Sequence, residues 1–169
     1  AKDRQGEIVF IERIGGLLRG VGCSDTGRGK EGLDLIQEYD AEERISWESE
    51  FFIDSLDAHR YDAGADMHFP IHTSGAFARS VGLPGIIYHG TATLSLVVRE
   101  VINREAEADP RRIAGAQCLF TGMVLPGTSV TIQLVAKEDR GDIVRNHFRV
   151  LNHEGKTAIR GGIVDLVKQ

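Results

Sequence analysis

The sequence predicts an α+β domain in which a curved antiparallel sheet wraps one central apolar helix, and two observations carry that reading. First, TATLSLVVREVINREAE (residues 91–107) spaces Leu94, Val97, Val98, Val101 and Ile102 at the helical period. Its first half is apolar round most of its circumference, so this helix belongs inside. Second, the chain beyond that helix is nearly all strand and turn. GAQCLFTGMV, TSVTIQLVAKED, IVRNHFRVLN and TAIRGGIVDLVKQ are separated by LPG, RGD and HEGK, and Ile132 and Leu134 alternate with Thr131 and Gln133 as a half-buried strand requires. One buried helix with four antiparallel strands implies α+β, and the lead-in from Trp47 to Ile53 supplies a fifth strand.

In chain order, GEIVFIERI (Gly6 to Ile14) reads as strand-like, Gly15 to Gly32 as a glycine-dense loop, and LDLIQEYD as weakly alternating. A soft boundary falls near residue 45, dividing an N-terminal extension (1–45) from the main domain (46–169). SLDAHRYDAGA forms a short helix with Asp54 or Ser55 as its N-cap. It runs into the loop DMHFPIH, where Pro70 holds Phe69 extended. A second helix, TSGAFARSVG, stops at Gly82, and IIYHG leads into the central helix. The NHEG corner is a hairpin signal.

Composition bounds the function. A chain of 169 residues is one domain plus an extension. Cys23 and Cys118 are far apart and outside any zinc spacing, which points to reduced thiols and to the cytoplasm or an organelle matrix. The net charge of −5 is mixed along the chain, with no basic stripe of a nucleic-acid binder. No apolar run approaches the roughly 20 residues that cross a bilayer, and AKDRQGE is too polar for a signal peptide. A first residue other than Met implies a processed chain or part of a longer one.

Three polar features stand close together: Asp66 with His68, His72 after Pro70, and His89-Gly90 at the head of the apolar helix. A helix N-terminus offers unpaired amides and partial positive charge, which suit a developing oxyanion. Gly90, with Thr91 beside it, is therefore the expected place for a substrate oxygen. Asp66 and His72 are the expected acid/base pair. The His89 ring, in an apolar run, reads first as an imidazole satisfied by backbone, at the substrate-binding end of the helix. His68 and His72 have an i, i+4 spacing, but Pro70 between them breaks the helix that would present both to a metal, so no metal site is expected.

The run PIHTSGAFARSVGLPGIIYHGTATLSL resembles the MaoC-like hydratases and dehydratases, including (R)-specific enoyl-CoA hydratases and the dehydratase region of fungal fatty acid synthases. Pro70-Ile71-His72, His89-Gly90 and the seventeen-residue interval from one histidine to the other match that family's pattern, and GMVLPGTSVTI resembles its strand-turn-strand. The resemblance covers about residues 47–169. It implies a hot-dog fold and the hydration of trans-2-enoyl thioesters to (R)-3-hydroxyacyl thioesters, or the reverse. It also implies a coenzyme A or acyl carrier protein thioester as ligand, no cofactor, and a homodimer or a heterodimer with another hot-dog subunit. The departures are specific. The family's Asp falls at Met67, its Asn at Phe69, and Asp66 lies one residue early. Either the loop carries an extra residue and Asp66 reaches the site, or another group substitutes, with Asp62, His68 and a partner chain as the alternatives. Two rival readings stand beside the hydratase one: a non-catalytic hot-dog subunit, which Met67 favours, and a thioesterase, which the absence of a carboxylate between Thr91 and Val98 disfavours.

Overall fold

The computed structural model describes residues 1–16, 22 and 45–168. The chain divides into two compact units, Ala1–Asp34 and Leu35–Gln169. In the first, the described residues form a turn: the Asp3 carboxylate accepts from the amides of Gln5 and Glu7, and a lone bridge pairs Lys2 with Ile8. The strand expected over 6–14 is absent from the described residues. Ile8, Val9, Phe10 and Ile11 are exposed there, and a β-branched run gains strand structure only from a partner to pair and pack with. Cys23 and LDLIQEYD lie outside the described residues.

The second unit runs β1 (Trp47–Ile53), α1 (Asp57–Gly64), a 3-10 turn (Pro70–His72), α2 (Gly75–Ser80), α3 (Gly90–Glu105), a second 3-10 turn (Pro110–Arg112), β2 (Ile113–Phe120), β3 (Thr128–Arg140), β4 (Ile143–Leu151) and β5 (Thr157–Val167). The five strands form one antiparallel sheet in the order β1-β3-β4-β5-β2. This is the hot-dog arrangement, with all five expected strands and the central helix in place. One expectation is corrected. The N-cap of α1 is Leu56, with the helix starting at Asp57, rather than Asp54 or Ser55. The Asp54 carboxylate accepts from the Leu56 amide and its own amide donates to Asp57, so it closes the turn before the helix.

The NHEG corner forms as expected. Asn152 Oδ1 accepts from the amides of Glu154 and Lys156, and Gly155 supplies the positive φ of 72° that the turn needs. Helix α3 buries Val97 and Val101 completely in a core shared with Ile53, Ile132, Phe148, Val150, Ile159, Val164 and Leu166. Each such aliphatic side chain contributes about 1.5–3 kcal/mol when removed from water. The far end of the helix is tied to β1. Trp47 Nε1 donates to Glu105 at 2.7 Å, and the Arg104 guanidinium lies over the Trp47 ring, 4.8 Å from its centre. With one end anchored and one face buried, the position of its N-terminus is fixed.

Phe148 lies opposite Gly162 across β4 and β5, and a Cβ at Gly162 would come within 2.4 Å of its ring. Replacing Gly162 with Ala should therefore force the core ring aside and cost about 1–3 kcal/mol, measured by urea denaturation. The same change at Gly115, whose Cβ would meet nothing within 4 Å, should cost much less.

Candidate active site

Pro70 opens the first 3-10 turn, with Phe69 extended before it at φ −113° and ψ 108°. The turn delivers His72 into the interior, 8% exposed. Two hydrogen bonds fix it: the Ile87 amide donates to the Ile71 carbonyl at 3.2 Å, and His72 Nδ1 donates to the Ile87 carbonyl at 2.8 Å. Because a carbonyl only accepts, the proton of the neutral ring sits on Nδ1 and Nε2 carries the lone pair. The sequence thus orients a buried imidazole by backbone alone.

His89 is the residue before α3, and its carbonyl accepts from both the amide and the hydroxyl of Thr93. Its ring is 1% exposed and stacks on His72, with centres 3.7 Å apart and planes 23° apart. Tyr61 packs on it at 4.9 Å. The expected backbone partner is not what the ring finds: Nε2 faces Asp62 Oδ1 across a long 3.4 Å contact, and Nδ1 is buried with no hydrogen-bond partner among the described residues. Burial first, then the neighbouring His72, pull the His89 pKa below its ordinary value, and Asp62 opposes them. Two stacked imidazoles do not both charge readily. The site therefore holds at most one histidine cation comfortably.

Among the described residues no side chain caps α3, so the positive end of a 16-residue helix has its first amides, including those of Gly90 and Thr91, uncapped by them. Gly90 is required by close approach: a Cβ there would lie 2.8 Å from the Phe120 ring. His72, His89, Gly90 and Thr91 all line one cavity of about 280 Å³, together with Met67, Phe120 and Met123. The lining combines a few polar groups, the two imidazoles and the start of α3, with a majority of apolar side chains, the composition of a site that takes a largely apolar ligand with a polar group.

Asp66 is not brought to this cavity. It has a left-handed φ of 52°, its side chain is 93% exposed, and its carboxylate pairs with His68 Nε2 at 2.9 Å. Asp tolerates that conformation better than most residues. The expected Asp66–His72 pair is thus replaced by a surface Asp66–His68 pair, while Met67, next in sequence, is among the lining residues. One participant, Phe120, escaped the sequence reading of the site, and Asp62 entered it only as an alternative to Asp66. Phe120 carries no signal beyond an apolar strand end. Asp62 had one weak signal, as a carboxylate in the last turn of α1, where the helix dipole disfavours it.

Other chemistry-bearing residues are engaged elsewhere. Glu100 pairs with Arg99 and Arg104, and Asp109 with Arg111, which holds the Asp109 pKa at about 2. Burial pushes the Cys118 thiol up to about 12, an unreactive state. Among the described residues, no three His, Cys, Asp or Glu side chains converge on a metal-sized site, and no helix is long and apolar enough to cross a membrane.

Comparison with known proteins decides the family. The model of the MaoC like domain matches residues 37–157. The chain belongs to the MaoC-like domain family. Among MaoC-like relatives, it is 40% identical over 81 residues to the fatty acid synthase subunit beta of Aspergillus oryzae, which covers 47% of this chain and 4% of that protein. It is 24% identical over 129 residues to the enoyl-CoA hydratase ChsH3 of Mycobacterium tuberculosis, covering 76% of this chain and 43% of the other. The structure of full-length peroxisomal multifunctional enzyme type 2 from Drosophila melanogaster superposes with a TM-score of 0.70 at 26% identity, over 83% of this chain and 25% of that one. The MaoC-like chain thus spans less than half the length of each of these relatives.

The buried neutral His89 makes stability depend on pH. With its folded pKa below the ordinary 6.5, the unfolded chain binds a proton that the folded chain refuses, so this contribution is intact above about pH 6.5 and is lost as pH falls through that value towards the folded pKa. Urea denaturation should show stability declining on that side, and His89→Gln should flatten the decline.

Proposed function

We propose that this MaoC-like domain is a hydro-lyase acting on acyl thioesters: it adds water to trans-2-enoyl thioesters to give (R)-3-hydroxyacyl thioesters, or runs the reverse dehydration. The observation that carries the reading is a buried imidazole whose Nδ1 is committed to the Ile87 carbonyl, in a cavity also lined by the uncapped start of α3. In this reading the thioester carbonyl sits at the Gly90 and Thr91 amides. His72 Nε2 removes a proton from water as the water oxygen bonds to the β-carbon, and the displaced π electrons move onto the carbonyl oxygen as an enolate. The same proton then passes to the α-carbon, so that H and OH are added and no other reactant is consumed. Met67, Phe120 and Met123 provide the apolar surface for the acyl chain. The enoyl-CoA hydratase and fatty acid synthase relatives support the substrate class. The carrier, coenzyme A or acyl carrier protein, is the open half of this proposal.

The test is to incubate the chain with crotonyl and longer enoyl thioesters and follow loss of the conjugated absorbance. His72→Gln should lower turnover on the order of 10²-fold or more, the usual cost of losing a general base, whereas Asp66→Asn should cost at most a few-fold (about 0.8 kcal/mol or less in barrier terms). Equal, large losses from both would return Asp66 to the site and overturn the geometry proposed.

The rival reading, a non-catalytic hot-dog subunit, has one observation in its favour: the side chain at the expected acid position, Met67, lines the cavity and has no ionisable group. Binding of a saturated acyl thioester with no turnover by the chain, alone or mixed with a second hot-dog subunit, would favour it.

We further propose that the unit works beside a second hot-dog unit. Leu94, Val98 and Ile102 on the outer side of α3 are only partly buried and line an open groove with Arg99 and Asn103, an apolar surface of the kind that association covers. Sedimentation should report a dimer or a heterodimer, and a stable monomer with full activity would overturn this.

A further inference from the structure

A base that works by becoming a cation needs an anion to support it, and the loop that was expected to supply one presents Met67 to the cavity instead. One carboxylate, however, reaches the histidine stack at His89. Asp62 projects from the last turn of α1 and is only 13% exposed, although the C-terminal end of a helix disfavours an anion and no basic side chain in that turn offsets it. Its Oδ1 faces Nε2 at the edge of the His89 ring, and a face of that ring is stacked, 3.7 Å between centres, on His72. A carboxylate only accepts, so the His89 proton belongs on Nε2. That leaves Nδ1, buried and without a hydrogen-bond partner among the described residues, as the lone-pair nitrogen. The ring is thus a neutral imidazole polarised by an anion at its edge and packed face to face with His72. Among the described residues, the titratable groups that meet His89 are Asp62 and Tyr61 from α1, His72 from the 3-10 turn and Tyr88 beside it in the chain. Only Asp62 among them brings negative charge at neutral pH, burial raising the Tyr88 phenol further from ionisation.

We propose that Asp62, acting through His89, is the positioning carboxylate of this site: it holds His89 neutral in the Nε2–H form and stabilises the cation that forms on His72, the service that the Met67 position does not provide. The inference rests on the hydro-lyase reading for its catalytic meaning and on the geometry alone for its electrostatic meaning. Electron density pushed into the His89 ring by Asp62 strengthens its attraction for a cation stacked above it. No proton leaves His89 in the cycle. Asp62 therefore tunes the base without touching substrate.

The test uses Asp62→Asn, which keeps an acceptor and removes the charge, and Asp62→Glu, which restores the charge, in the full chain. With crotonyl-CoA as substrate, Asp62→Asn should lower kcat on the order of 10-fold or more with KM nearly unchanged. The acidic limb of its pH–rate profile should move to lower pH, because a cation deprived of its anion forms less readily. Asp62→Glu should recover most of the rate and return the limb. A loss of rate with an unmoved limb and no recovery in Asp62→Glu would make Asp62 a merely structural residue and overturn the proposal, as would no loss at all. A second arm needs neither substrate nor substitution: ¹⁵N spectra of the histidine rings in the unaltered protein should show His89 protonated on Nε2 at neutral pH, and protonation on Nδ1 alone would overturn the proposal even if Asp62→Asn fails to fold. If the unaltered protein turns over no enoyl thioester, the hydro-lyase reading fails, and the ring spectra alone decide whether Asp62 governs His89.

Discussion

Burial of one face of α3 against the sheet is the constraint on which the site depends. Val97 and Val101 leave water entirely, and the contacts of Trp47 with Arg104 and Glu105 hold the other end. The helix therefore neither slides nor rotates without exposing core. Its first residue is then set in space by the packing of its middle. The uncapped amides at Gly90, the His89 ring just before them and the stack on His72 inherit that precision, so the chemistry stands on rigid elements rather than on a free loop.

The second constraint is electrostatic. His72 and His89 are within van der Waals contact, both nearly sealed from solvent, and burial and mutual repulsion both resist protonation of His89. The pair divides its work by what each ring's other nitrogen meets. His72 gives Nδ1–H to a carbonyl and keeps a lone pair on Nε2; His89 gives Nε2–H to a carboxylate. Environments that differ in this way separate a base from its support even when the two side chains are identical.

Much of this was legible in the sequence because it rests on periodicity. The alternation of Ile132 and Leu134, the helical spacing from Leu94 to Ile102, and the Asn and Gly of the NHEG corner each encode a local geometry, and the elements formed where they were read. The fold-level part of the site was legible too, since Pro70 before His72 and glycine after His89 mark a turn and a helix start. What failed was what depends on partners or on the sign of one torsion. The Ile/Val run over 6–14 reads as a strand only if a neighbour is assumed. Asp66 reads as the acid only if its backbone is assumed to be right-handed, whereas the left-handed kink there goes with a side chain held in solvent. Nor does linear spacing reveal that Asp62, ten residues before His72 in the chain, faces a ring that stacks on it.

The two arms that orient the histidines differ in heritability. His72 is aimed by the carbonyl of Ile87, and every amino acid carries that same acceptor. A substitution at position 87 can reshape the wall of the cavity and still leave the donor's target in place, so the lineage is free to explore side chains there without touching the base. His89 is aimed by the side chain of Asp62, which a single nucleotide change can erase. Drift is therefore expected to be channelled: variation should be tolerated where the backbone does the aiming and resisted where a side chain does, and the contrast between positions 87 and 62 is where a family tree of close relatives would record it.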